Sequence, residues 1–82
     1  MNGFQIPLLQ GSFEKEDAVR ILTQMVDVKI RYHEDKIRET DNEEDIKMRE
    51  TRIRQLQKDL HDIRSHILST AGRVELKSHI QL

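Results

Sequence analysis

Residues 46–67 read IKMRETRIRQLQKDLHDIRSHI. Ile46, Ile53, Leu56, Leu60, Ile63 and Ile67 recur at alternating spacings of three and four, with Arg49 filling the one polar slot. At 3.6 residues per turn that pattern lines up a single narrow apolar stripe, the seam along which one helix packs lengthwise on another. Upstream, residues 19–37 read VRILTQMVDVKIRYHEDKI, and Val19, Leu22, Val26, Ile30, His33 and Ile37 repeat the stripe. The link between them, Thr40-Asp41-Asn42, is short enough to make the two helices antiparallel neighbours. A reversal near residue 41 pairs Ile37 with Ile46, Ile30 with Ile53, Val26 with Leu56, Leu22 with Leu60, and Val19 with Ile63. The same register sets His33 opposite Arg49, one polar layer near the tip. Two seams that agree on one register predict an antiparallel coiled-coil hairpin.

The flanking residues bound the elements. Residues 13–71 contain no Gly and no Pro. Helix 1 is expected over 13–39, with Ser12 as its N-cap and Glu14, Glu16 and Asp17 in the first turns, where the helix dipole favours acids. The turn occupies 40–42 and helix 2 is expected over 43–71. Asp41 and Glu44 form a capping box at its start, and Gly72 sits in the left-handed position past its end. Six acid-first i,i+4 pairs support the helices: Glu16/Arg20, Asp27/Arg31, Glu34/Arg38, Glu43/Lys47, Asp45/Arg49 and Glu50/Arg54. Each contributes about 0.2–0.5 kcal/mol to an isolated helix.

Outside the helices the period changes to two. Phe4, Ile6 and Leu8 alternate with Gln5, Pro7 and Leu9, and Val74, Leu76, Ile80 and Leu82 alternate with Glu75, Lys77, His79 and Gln81. Alternation predicts an N-terminal strand or arm in 1–12 and a C-terminal strand in 73–82. Pro7, lacking a backbone donor, belongs to an edge. The expected fold is mainly α, a β-α-α-β single domain over 1–82.

Helix 1 carries a second stripe. Ala18, Ile21, Met25, Val28 and Tyr32 also repeat at three and four. They cannot share the face that meets helix 2, so helix 1 needs a second neighbour. The chain's own ribbon could fold back over them, using Phe4, Ile6, Leu8, Val74, Leu76, Ile80 and Leu82, or a second copy could lay its helix 1 across. A lone two-stranded ribbon is weak cover, whereas the ribbons of two copies could merge into a four-stranded sheet, so the second copy is favoured. Composition points the same way. The chain has 82 residues, 35% hydrophobic and 35% charged, and no cysteine. A core that small contributes only ~3–5 kcal/mol, and neither a disulfide nor a thiolate metal site is available to reinforce it. Self-association through Ala18, Ile21, Met25, Val28 and Tyr32, as a homo-oligomer with a dimer favoured, is the expectation.

Several functions lack residues to carry them. Apolar runs are too short to span a membrane, and Met1-Asn2-Gly3-Phe4-Gln5-Ile6-Pro7 is unlike a secretory signal, so a cytoplasmic location is expected. A net charge of −1 gives no bulk attraction to nucleic acid. His61 and His66 are five apart and fall on different helix faces; two ligands on one face need i,i+4 spacing. There is no Gly-rich phosphate loop and no nucleophile constellation. No enzyme, cofactor or metal is expected.

Two charge clusters remain. Lys47, Arg49, Arg52, Arg54, Lys58 and Arg64 make residues 46–71 net +3. A basic helix 2 face that binds nucleic acid is the third-ranked reading, and no aromatics interleave these bases to stack on single strands. Asp41, Glu43, Glu44 and Asp45 gather four acids at the hairpin tip. Capping and dipole compensation account for them. The alternative is a tip that interacts with a cation or a basic partner. Acids at the turn followed by Arg52-Ile53, Leu56 and Leu60, over residues 41–70 or so, resemble the general plan of the N-terminal arm of transcript-cleavage factors. That resemblance implies a regulator presenting an acidic coiled-coil tip to a larger complex such as RNA polymerase. The leading expectation is a small non-enzymatic protein–protein interaction or self-association module, with a further protein partner open.

Overall fold

The computed structural model describes residues 3–82, so Met1 and Asn2 of the expected N-terminal arm lie outside the described residues. The elements are β1 (Gln5–Phe13), α1 (Lys15–Arg38), α2 (Glu43–Ser69) and β2 (Val74–Gln81). The β-α-α-β order is that expected from the change of period along the chain. Helices and strands meet their neighbours in different ways. The helices lie side by side, and Arg49 Nη1 of α2 donates to His33 Nδ1 of α1 at 3.1 Å, in the layer where the seam register pairs them. The strands pair with each other antiparallel within the one chain.

The start of α1 differs from expectation. Ser12 is not its cap. The N-cap is Glu14, whose side chain makes no capping bond. The ladder runs as far as Phe13–Val74, so Ser12 is still strand when the helix would have to begin. Its Oγ and its carbonyl oxygen instead accept from the Arg73 guanidinium, at 2.9 and 2.8 Å.

The cap of α2 also moves by one residue. Asn42, rather than Asp41, accepts the Asp45 N–H at 3.0 Å, and Thr40 Oγ1 accepts the Asn42 N–H at 3.1 Å. Asn42→Ala is therefore expected to cost about 1 kcal/mol in chemical denaturation, and Asp41→Asn close to nothing. Past α2, Gly72 has φ 80°, a left-handed turn conformation that residues with a Cβ adopt at a cost.

Of the six expected i,i+4 pairs, Asp45–Arg49 forms, at 3.4 Å. Arg20 and Arg38 turn instead to Asp17 and Asp35, three residues earlier, and Lys58–Asp62 forms in base-first order at 2.8 Å. Exposed long side chains choose among near-equal partners, and such pairs contribute little to stability.

A bulge organises the ribbon. Ile6 pairs with Ile80 and Leu9 with Ser78, so Pro7 and Leu8 together oppose the single residue His79. The extra residue shifts the alternation of β1 by one. Directly paired residues share a face. Ile6 before the bulge and Leu9 and Phe13 after it therefore all lie on the face that holds Val74, Leu76 and Ile80. Leu82 N–H donates to the Phe4 carbonyl at 2.9 Å and adds Phe4 and Leu82 to that face. Without the bulge, Leu9 and Phe13 would point opposite to Ile6.

The molecule is a thin plate. Its Cα dimensions are 47 × 38 × 13 Å and its radius of gyration is 15.6 Å, against about 12 Å for a compact domain of this length. Among the described residues only Ala18 and Ile67 are fully buried hydrophobics, at 0% and 2% exposure. Ala18 begins α1 and Ile67 ends α2, so both mark the junction of hairpin and ribbon. Elsewhere the seam residues of both helices are half-buried, except Ile63, which is 42% exposed.

Candidate self-association surface

The second stripe of α1 changes character along its length. A residue one position before each seam residue is rotated by about 100° on a helix. Ala18, Ile21, Met25 and Tyr32 thus point nearly perpendicular to the direction of α2, and Val28, two positions before Ile30 and two after Val26, points away from it. Near the ribbon, Ala18 is fully buried and Ile21 half-buried. Farther along, Met25 is 36% exposed, Val28 71% and Tyr32 52%. The chain thus covers the first turns of the stripe itself and leaves its second half in water.

The ribbon shows the same gradient. Leu9, Phe13, Val74 and Leu76, at its root, are half-buried. Phe4, Ile6, Ile80 and Leu82, at its outer end, are exposed. These four are among the ribbon residues that alternation puts forward as cover for the stripe, and in the structure they are exposed themselves. The signal for the bulge beside them is Pro7, whose place inside an alternating run points to a change of face.

Tyr32 is fastened at one edge. Its ring stands edge-on to His33, with centroids 5.3 Å apart. The Arg49 guanidinium lies 5.7 Å from the Tyr32 centroid, and Lys36 Nζ lies 5.9 Å from it. Beside it, the His33 ring is held in one tautomer. Arg49 can only donate, so Nδ1 accepts and the proton sits on Nε2. Nε2 is buried without a partner. A second proton, on Nδ1, would set donor against donor. Burial first, then the positive charges of Arg49, Lys29 and Arg52, lower the His33 pKa from 6.5.

This predicts a pH dependence of defined sign. The folded ring resists the proton that the unfolded ring accepts near 6.5. The stability held by neutral His33 is complete above 6.5 and falls as pH drops below it, towards the depressed folded value. Thermal melts from about pH 8 to about pH 5 are expected to show a steeper acid-side loss for the wild type than for His33→Gln, which cannot titrate. Equal slopes would contradict the assignment.

The tip acids are placed as follows. Asp45 holds Arg49 through its carboxylate and bonds Asn42 through its backbone N–H. Asp41, Glu43 and Glu44 are exposed. Glu43, Glu44 and Asp45 occupy the first turn of α2, where the helix dipole stabilises negative charge. Among the described residues no group of three or more His, Cys, Asp or Glu side chains is arranged to hold a metal ion, and no helix is long and apolar enough to cross a membrane. A surface recess of about 390 Å³ is lined by Met48, Thr51, Arg52 and Gln55, all on α2, and is a groove between neighbouring side chains rather than an enclosed cavity.

Comparison with protein-family models, with curated proteins and with solved structures finds no match to this chain.

Proposed function

We propose that this protein is a small non-enzymatic self-association module, a homodimer in which a second copy covers the outer stripe of α1. One observation carries the reading: the exposed run Met25, Val28 and Tyr32 on a helix whose other apolar face already meets α2. Area supports it. The accessible surface is 6606 Å² for a chain of 9.8 kDa. A monomeric protein of that mass exposes about 5,200 Å², so the chain exposes roughly 1,400 Å² more. A standard interface takes about 800 Å² from each partner. Shape supports it too, since a stable domain needs two packed layers and a plate 13 Å thick supplies one.

In this reading the seams of α1 and α2 pack as a coiled coil within each chain, and the two α1 stripes pack across a two-fold axis. The outer ends of the ribbons are covered in the same event. Light scattering at micromolar concentration is the deciding measurement, with a dimeric mass expected.

A further inference from the structure

Resting on the dimer reading, we infer that the second copy joins edge to edge, its β2 antiparallel to β2, with the two-fold axis at Ser78. The two ribbons then form one four-stranded sheet in the order β1-β2-β2-β1.

The two free edges of the ribbon differ. Along β1 the row of backbone groups is broken. Pro7 has no N–H, Pro7 and Leu8 form the bulge, and Gly11 has φ 154°, which residues with side chains rarely adopt. The Ser12 carbonyl already accepts from Arg73. Proline and bulges are the means by which proteins blunt an edge against pairing. β2 has neither. It runs regularly over eight residues, Val74–Gln81. Leu82 N–H donates inward to Phe4, and strand alternation then turns the backbone groups of Ile80, Ser78, Leu76 and Val74 inward as well. The N–H and C=O groups of Glu75, Lys77, His79 and Gln81 face outward, unclaimed by the ribbon.

Complementarity selects the register. With Ser78 on the axis, Leu76 lies opposite Ile80 of the second copy and Val74 opposite its Leu82, so the apolar face is continuous across the join. The polar face pairs Glu75 with Gln81 and Lys77 with His79. Moving the axis to Lys77 sets two lysines against each other, which is unfavourable. Moving it to Leu76 leaves Ile80 and Leu82 opposite residues beyond the strand. The antiparallel arrangement also puts each exposed outer end beside the root of the other ribbon. There the half-buried Val74 and Leu76 mark where that copy's hairpin begins.

The test uses the full chain, whose lack of cysteine gives a clean background. Ser78 would face its own copy in a non-hydrogen-bonded pair, with Cα atoms about 4.5 Å apart, within disulfide range. Ser78→Cys oxidised with diamide is expected to give a covalent dimer, and Leu76→Cys and Lys77→Cys much less. His79→Pro removes an outward N–H that the ribbon does not use. It is expected to weaken dimerisation by about tenfold or more, since two-fold symmetry deletes two hydrogen bonds at once. The intrachain fold, followed by circular dichroism, should survive. If the wild type is a dimer that Val28→Lys dissociates while Ser78→Cys stays uncross-linked and His79→Pro stays dimeric, the edge pairing is wrong and the α1 interface stands. Preferential cross-linking through Leu76→Cys overturns the register. A monomeric wild type overturns both the edge pairing and the dimer.

Discussion

Ile67→Ala is expected to cost about 2–5 kcal/mol in urea denaturation, the range for truncating a fully buried aliphatic side chain. Ile67 and Ala18 are the two fully buried hydrophobics among the described residues, both at the junction of hairpin and ribbon. Total stability at ~0.05–0.15 kcal/mol per residue comes to about 4–12 kcal/mol for a chain of this length. The single substitution therefore removes a large share of it. Ile63→Ala is the internal comparison. Ile63 belongs to the same seam but is 42% exposed, and its truncation is expected to cost about 1 kcal/mol, in proportion to the apolar surface it buries. Equal losses at the two positions would show that the junction is not where the stability resides.

Val28→Lys is expected to convert a dimer into a monomer, weakening association by about 100-fold or more, because a lysine ammonium without a partner would be buried in the interface. Within one chain the same change is nearly free. Val28 is 71% exposed, and lysine is the better helix former. The two effects separate cleanly. If the stripe is an interface, mass and melting temperature fall together, and the melting temperature of the wild type rises with concentration. If the chain is a monomer, the wild type melts independently of concentration and Val28→Lys leaves the melt unchanged or slightly raised. That second outcome would refute self-association.

The helices, their order and the polar layer were legible in the residues because each rests on a local or pairwise regularity. A stripe at three-four spacing has a direction on any helix. Two such stripes joined by a three-residue link leave little freedom of register, and the bond between His33 and Arg49 falls where the pairing sets it. The caps were less legible. Ser12 has good capping chemistry, yet the ladder extends to Phe13 and holds it in the strand. Asp41 and Asn42 are both good caps. The choice between them turns on one residue of turn geometry, in which Thr40 bonds the Asn42 N–H.

By itself the sequence determined the period of each segment, and therefore a mainly helical β-α-α-β chain in which α1 carries two apolar stripes. Only the tertiary structure decided which parts of those stripes remain wet. Ala18 and Val28 are ten residues apart on one stripe, the first at 0% exposure and the second at 71%. Their spacing rotates Val28 about 80° farther from α2 than Ala18, but it does not show that Ala18 is covered completely. The difference arises at the junction, where the ribbon and the end of α2 meet the start of α1. The ribbon's face was decided in the same way, by a bulge of one residue that carries Ile6 and Leu9 to the same side. Periodicity gives the direction of a side chain on its own element. What lies in that direction is set by the rigid-body placement of the other elements, and that placement is a property of the whole chain.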